Sequence, residues 1–434
     1  MKAYPLVLHD EFSFPGGGER VAMAISRAFN AHLWTGHLDE APFPDVYFEN
    51  LLPLSLQAYD TAPPWLKYSK VAEMWYAFSH FPSPPKKPIC TIFSGSLSLL
   101  AHKQIEGPKI LYCHTPPRLL YDQRKFYLRQ TAFLKRPAMM GLIYLYKKVY
   151  EDAIRSMDII IANSVNVQKR IKHYLSVDSV VVYPPCDTTA FQWLGQEEFY
   201  LSTARPDLLK RVDVIVKAFL KMPEKKLVVV SGGSELERIR HLARSAQNIN
   251  ILGWVDEKRL AQLTGKCIAT VYIPEDEDFG MSPVESMAAG KPVIGVAEGG
   301  LLETVKDGET GILITAFPSS EEVIQAVRQM TPEHAEKMRM GCEKRALKFR
   351  TEVFVEKMNK ILRALRVFNT GAKMPLPIGS CEKRQVAKIV GHKIPENSRK
   401  IQKIELKSET KLIGNFGRFR QKICPEKPKL GHYI

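Results

Sequence analysis

The sequence predicts an α/β protein of two doubly wound domains. Two observations carry this. Short β-branched runs alternate with segments whose apolar residues recur at helical spacing, and the alternation occurs twice along a chain of 434 residues, too long for one ordinary domain. The second alternation is the more regular. Between Glu198 and Thr315 the spacing predicts strands at Phe199–Ala204, Lys226–Val230, Asn250–Leu252, Cys267–Ile273, Pro292–Val296 and Gly311–Ile314. Helices are expected between them at Val212–Lys221, Glu235–Ala246, Glu257–Leu263, Pro283–Ala289 and Leu301–Lys306.

The first half repeats the theme less regularly, with strands expected at Pro5–His9, Ile89–Phe93, Lys109–Cys113, Asp158–Ala162 and Val180–Tyr183 and a helix at Glu19–Asn30. Tyr183-Pro184-Pro185 enforces an extended segment suited to a crossing between domains, so residues 1–190 and 191–348 are read as the two domains. A helix over Phe349–Leu365, with Phe354, Met358, Ile361, Leu362 and Leu365 on one face, is expected to return to the first domain. Residues 368–434 differ in kind. They hold 15 Lys or Arg against 5 Glu and no Asp, about +10 of the chain's +16, and read as a basic tail that is flexible or folds on a surface.

Composition narrows the class. The hydrophobic content is 45% and the charged content 25%, as in soluble globular proteins. Met1 to Asp10 reads as neither a signal nor a transit peptide, and no apolar run reaches the ~20 residues of a spanning helix. The expectation is a cytoplasmic protein. Seven scattered cysteines, never paired as Cys-x-x-Cys, argue against a disulfide framework or a zinc site.

The chemistry concentrates in Glu277-Asp278-Phe279-Gly280-Met281-Ser282-Pro283-Val284-Glu285, between a strand and a helix. Locally, Ser282 sits where an N-cap belongs, Pro283 at the first helical position and Glu285 where it completes a capping box. A second reading is compatible with the first. The loop follows the carboxyl end of a strand in a doubly wound sheet, where ligands bind, and a helix amino terminus attracts phosphate. Gly280 lets backbone approach a ligand, and flanking carboxylates accept hydrogen bonds from sugar hydroxyls.

This segment, continuing through Ser286-Met287-Ala288-Ala289-Gly290-Lys291-Pro292-Val293, resembles the Glu-x7-Glu signature of family 4 retaining glycosyltransferases of the GT-B fold, in particular bacterial and archaeal mannosyltransferases. Ala204-Arg205 with Lys210, Gly299-Gly300-Leu301-Leu302-Glu303 and Asp307-Gly308-Glu309-Thr310-Gly311 match further family segments in order and spacing. The resemblance covers roughly residues 5 to 365. It implies two Rossmann-like domains facing a cleft, with Glu285 holding the donor ribose and Glu277 the transferred sugar. Gly280, Met281 and Ser282 would give backbone contacts, and Arg205 and Lys210 would neutralise the donor diphosphate. Such charge is what expulsion of a nucleoside diphosphate requires.

In the first domain, Gly16-Gly17-Gly18 precedes a helix and resembles the family's amino-terminal glycine loop, which faces the cleft as an acceptor or phosphate loop. His114, in Tyr112-Cys113-His114-Thr115-Pro116-Pro117-Arg118, resembles the histidine that faces the donor sugar in mannosyltransferases of the family, which implies GDP-mannose as donor. No cofactor and no metal are expected. Asp276 and Asp278 do form an Asp-x-Asp pair, the cation-binding pattern of the other major glycosyltransferase fold, but Arg205, Lys210 and the helix terminus already supply positive charge. Arg211 and Asp278 depart from family glycines.

Between Arg118 and Arg155 nine Lys or Arg face three acids and interleave with Tyr121, Phe126, Tyr127, Phe133, Leu134, Tyr144 and Leu145. This pattern fits an interfacial helix pair on an anionic leaflet as well as core helices with solvated lysines. Docking on the inner face of the cell membrane, and a lipid-linked or other saccharide acceptor, are the expected partners. No nucleic-acid recognition module is legible. Two other readings stay open: a GT-B enzyme of another type, such as a nucleotide-sugar epimerase, and a noncatalytic adaptor.

Overall fold

The structure, a computed structural model, describes residues 4–13, 16–39, 56–58, 69–84 and 87–369. All of these lie in one compact unit, Met1–Val386; the second unit, Ala387–Ile434, and with it nearly all of the basic tail, lies outside the described residues.

The described residues form two all-parallel sheets. The first has strands β1 (Leu6–Phe12), β2 (His32–Leu38), β3 (Leu56–Ala58), β4 (Thr91–Ser94), β5 (Lys109–Cys113), β6 (Ile159–Ala162) and β7 (Val180–Val181), in the order β3-β2-β1-β4-β5-β6-β7. The second has β8 (Tyr200–Ser202), β9 (Leu227–Val230), β10 (Ile249–Gly253), β11 (Thr270–Tyr272), β12 (Val293–Val296) and β13 (Gly311–Ile314), in the order β10-β9-β8-β11-β12-β13. In each, the order reverses beside the first strand of the sheet, and such a switch point opens a crevice at the strands' carboxyl ends.

The register is regular where both faces are covered. Val293, Ile294, Gly295 and Val296 pair with Gly311 to Ile314 in step, and Val293, Ile294 and Val296 have no exposed surface. Each such side chain contributes about 2 kcal/mol by leaving water. That burial explains why β12 reads as a continuous apolar run. Gly311 is needed for close approach, since a Cβ there would lie 2.0 Å from the Val293 carbonyl oxygen.

Strands β2 and β3 and the helices Lys70–Ser79 and Val165–Leu175 are absent from the sequence reading. The burial of β2 alternates, its residues His32, Trp34 and His37 being partly open, so it carries no apolar run. The chain enters β2 through Asn30, which ends the helix Gly17–Phe29 in the left-handed conformation at φ 47°.

After the second sheet, Cys186 accepts the chain back: its N–H donates to the Phe349 carbonyl at 2.9 Å. Helix Thr351–Asn369 follows. Phe354 meets Tyr112 of β5 edge-on at 6.0 Å between centroids, and Lys357 lies 5.5 Å over the Tyr183 ring. Phe354, Met358, Ile361 and Leu365 are buried along one face, joined by Ala364, while Leu362 is only partly covered.

Candidate functional site

Between the carboxyl ends of the two sheets lies a cavity of about 620 Å³. All eleven site residues expected from the sequence line it: Gly16, Gly17, Gly18 and His114 from the first domain, and Arg205, Lys210, Glu277, Gly280, Met281, Ser282 and Glu285 from the second.

Glu277 follows β11 and is held on all sides. Its Oε2 accepts from Lys210 Nζ at 2.5 Å and from the Tyr272 hydroxyl at 3.0 Å. Burial opposes ionisation of this carboxyl, yet the Lys210 ammonium and the two hydrogen bonds outweigh it and hold the group below its ordinary range. The Glu277 carbonyl is fixed as well, accepting from Gly300 N–H at 2.7 Å and Asn166 Nδ2 at 3.1 Å. Glycine is required at 300, where a Cβ would sit 2.4 Å from the Phe279 Cα. Lys210 is therefore the partner of Glu277 in this structure, with further N–H donors to spare. Arg205 is turned by Asp207, whose Oδ2 accepts from its Nε at 2.6 Å.

The start of the next helix corrects the local reading. The helix runs Met281–Ala288, and its N-cap is Gly280 at φ 89°, ψ 79°, with no capping side chain. Ser282 does not cap, and Glu285 completes no capping box. The left-handed conformation open to Gly280 lets the chain enter the helix two residues earlier than Ser-Pro spacing suggests. The first helical amides are left without a side-chain cap at the cavity wall. Glu285 is instead buried against the other domain, where Arg20 NH1 donates to its Oε1 at 2.7 Å. No local spacing could have found that pair, since 265 residues separate its members.

Asp276 and Asp278 are likewise engaged by arginines. Arg118 NH2 lies 2.9 Å from Asp276 Oδ2, Arg170 NH2 lies 2.7 Å from Asp276 Oδ1, and Arg170 NH1 pairs with Asp278 Oδ1. Ser164 Oγ donates to the Asp278 carbonyl at 2.6 Å, and the Glu303 carboxylate accepts the amides of Val165 and Asn166 at 2.7 and 2.6 Å. Thus the His-Thr-Pro-Pro-Arg segment, the start of helix Val165–Leu175 and the acidic loop form one cross-cleft network beside Glu277. Among the described residues, no cluster of three or more His, Cys, Asp or Glu has the arrangement of a metal site.

The first-domain wall is built differently. Gly17 passes under Met281, whose Sδ would lie 3.1 Å from an added Cβ, and Gly18 faces His9 and His114. His114 Nε2 is 2.9 Å from Ser94 Oγ, and His9 Nδ1 bonds the Ser94 carbonyl. Loss of hydration pushes His9 down to about 4 and His114 down to about 3, so both imidazoles are neutral at pH 7. Asp10 caps the turn after β4 by accepting the amides of Ser96, Leu97 and Ser98 at 2.8, 3.0 and 2.7 Å. The sequence reading missed His9, Glu19, Arg20 and Tyr272 as cavity residues. Their positions at the ends of strands and beside the glycine loop were the available signal.

Comparison with known proteins agrees with this geometry. Residues 189–349 match the family model described as glycosyl transferases group 1. The chain is 26% identical over 323 residues to the alpha-1,3/1,6-mannosyltransferase ALG2 of Dictyostelium discoideum, covering 62% of this chain and 74% of that one. Among solved structures, sucrose-phosphate synthase from Thermosynechococcus elongatus superposes with a TM-score of 0.68 at 18% identity, covering 85% of this chain and all of that one. Anabaena Alr3699/HepE in complex with UDP and glucose superposes with a TM-score of 0.64 at 15% identity, covering 82% and 99%. Residues 189–349 are a glycosyltransferase group 1 domain, and the two sheets together form a GT-B fold.

Proposed function

We propose that the protein is a retaining glycosyltransferase that moves mannose from GDP-mannose to a lipid-linked saccharide, in the synthesis of a cell-surface polysaccharide or glycolipid. The observation that carries this reading is Glu277, an ionised and partly buried carboxylate fixed by Lys210 and Tyr272 in the wall of the interdomain cavity. Its pre-set charge suits a site where positive character develops on the sugar as the diphosphate departs. Arg205, the spare donors of Lys210 and the uncapped amides after Gly280 would take the negative charge on the leaving phosphate. No metal is needed in this account. Its carriers of positive charge are side chains and amides, and Asp276 and Asp278 are occupied by arginines. His114, neutral and facing the cavity, would contact the donor sugar, and Glu285 the ribose.

The mannose assignment rests on the resemblance of the His114 segment to mannosyltransferases and on the mannosyltransferase named among the relatives. A lipid surface as the place of work is supported by the segment 124–155. Phe133 is 77% exposed and Leu134 89%, with Tyr144, Leu145, Met140 and Leu142 also exposed on helix Arg136–Arg155 among basic side chains. Apolar and aromatic groups ringed by cations favour an anionic interface. No helix among the described residues is long and apolar enough to cross a membrane.

The test is incubation with GDP-mannose and membrane lipid extract. Release of GDP that depends on the extract is expected. Conversion of the donor without any acceptor would replace the reading with epimerisation, and no turnover of any nucleotide sugar would leave a noncatalytic protein.

A further inference from the structure

Among the described residues that take left-handed backbone without being glycine is Arg211, at φ 53° and ψ 33°. That conformation costs a residue with a Cβ, whereas glycine adopts it freely. Arg211 directly follows Lys210, ends the short turn Leu208–Lys210 and begins helix Val212–Leu220. A side chain kept at such a position points to a task that glycine could not perform. The guanidinium shows the task. NH1 donates to Glu298 Oε1 at 3.1 Å and to the Ala316 carbonyl at 2.6 Å, and NH2 lies 3.4 Å from Glu275 Oε2. The Phe317 ring covers its face, 5.1 Å from centroid to guanidinium carbon, and the side chain is only 11% exposed. Glu275 follows β11, Glu298 follows β12 and Ala316 follows β13. One planar fork thus joins the turn after β8 to the loops after the next three strands of the sheet. A backbone bond runs beside it, from Glu275 N–H to the Leu209 carbonyl at 2.7 Å.

The joined loops converge on Glu277. Glu275 lies two residues before it, and Lys210, its ion-pair partner, directly precedes Arg211. Gly299, directly after Glu298, packs so closely on its backbone that an added Cβ would lie 2.5 Å from the Glu277 carbonyl oxygen. Arg211 itself stands outside the lining of the cavity, behind the wall that these residues form. Without its charge between them, Glu275 and Glu298 would repel one another and push the loops apart. We propose that Arg211 is a positioning residue for transfer, holding Lys210 and Glu277 in register by clamping the loops that carry them. This rests on the glycosyl-transfer reading and adds to it the group that sets the geometry of the carboxylate and ammonium pair.

A double-mutant cycle with Glu277→Gln tests it, read as turnover of GDP-mannose, or of the nucleotide sugar that the wild type accepts in its place, with membrane lipid extract. Arg211→Asn removes the fork but keeps a residue that tolerates left-handed backbone, as Asn30 does in this chain. A small displacement of a reacting group is costly, so kcat should fall about 10- to 100-fold while KM for the donor stays within about threefold. In the Glu277→Gln background the same substitution should cost less than about threefold, because the group that Arg211 positions is already disabled. Arg211→Lys keeps the charge but cannot reproduce the planar fork, so its kcat should fall between those of the wild type and Arg211→Asn. It carries the same cycle if the shorter side chain fails to fold. An equal fold-loss in both backgrounds, as a general loosening of the domain would give, overturns the assignment, and so does unchanged kcat in either variant. Wild-type protein that turns over no nucleotide sugar overturns the glycosyl-transfer reading beneath it.

Discussion

The two walls of the cleft are prepared in opposite ways. On the second domain, Glu277, Lys210 and Tyr272 satisfy one another, and the acidic loop behind them is held by Arg118 and Arg170. On the first domain, His9 and His114 are neutral, and among the described residues no cation or hydroxyl bonds Glu19. Charge needed for departure of a phosphate must be in place before reaction, because reorganising it during the reaction would raise the barrier. A wall that receives a neutral saccharide works by offering unfilled hydrogen bonds instead.

The largest expected effect breaks the ion pair Arg20–Glu285, one of those that join the two walls. Arg20→Ala or Glu285→Ala leaves a buried charge alone and costs about 3 kcal/mol of stability in urea denaturation, at the low end of the range for such pairs because Arg20 is 28% exposed. Replacing both by Met restores most of that loss. If the double variant is no more stable than the singles, the pair is not what joins the walls.

Next comes the raised carboxyl of Glu19. A carboxyl raised in the folded state costs stability as pH climbs from about 4.5, its unfolded value, to about 7, and the loss is complete above that. The displacement of about 2.5 units corresponds to at most about 3 kcal/mol. Glu19→Gln should therefore raise Tm at pH 8 and leave it unchanged at pH 4. A variant equally stabilised at both pH values would show that ionisation is not the cause.

Arg170→Ala removes the guanidinium shared by Asp276 and Asp278, and a double-mutant cycle with Asp276→Ala should give a coupling of about 1 to 2 kcal/mol together with a higher KM for the donor. Additivity within error would mean that the network does not hold the loop. The smallest effect on stability is at the exposed apolar turn. Phe133→Ser with Leu134→Ser should change unfolding by no more than ~0.5 kcal/mol yet reduce sedimentation with anionic vesicles. Equal binding by variant and wild type would move the docking surface elsewhere.

What could be read from the sequence divides along the same cleft. Strands Lys109–Cys113 and Gly311–Ile314 match their expected limits, the first because a strand buried along its length leaves a continuous apolar run and the second, only partly buried, through its own Ile-Leu-Ile run. The half-open β2 left no such run. Within the site, the residues that line the cavity were legible as a pattern, including Glu277, Glu285 and the glycines at 16–18. The distant partners that hold them were not. Glu285 shows why: Ser282 at the right spacing suggested a local cap, but a partly exposed arginine 265 positions away claims the carboxylate, and the helix begins at Met281 without it.

Glu277→Gln tests the central claim most directly, since it preserves shape and hydrogen bonding but removes the charge that Lys210 balances. With GDP-mannose and a lipid acceptor, kcat for GDP release should fall by ~10²- to 10³-fold, while GDP binding stays within a few-fold of the wild type. Unaltered kcat in that variant would contradict the assignment of Glu277 as the carboxylate on which transfer depends.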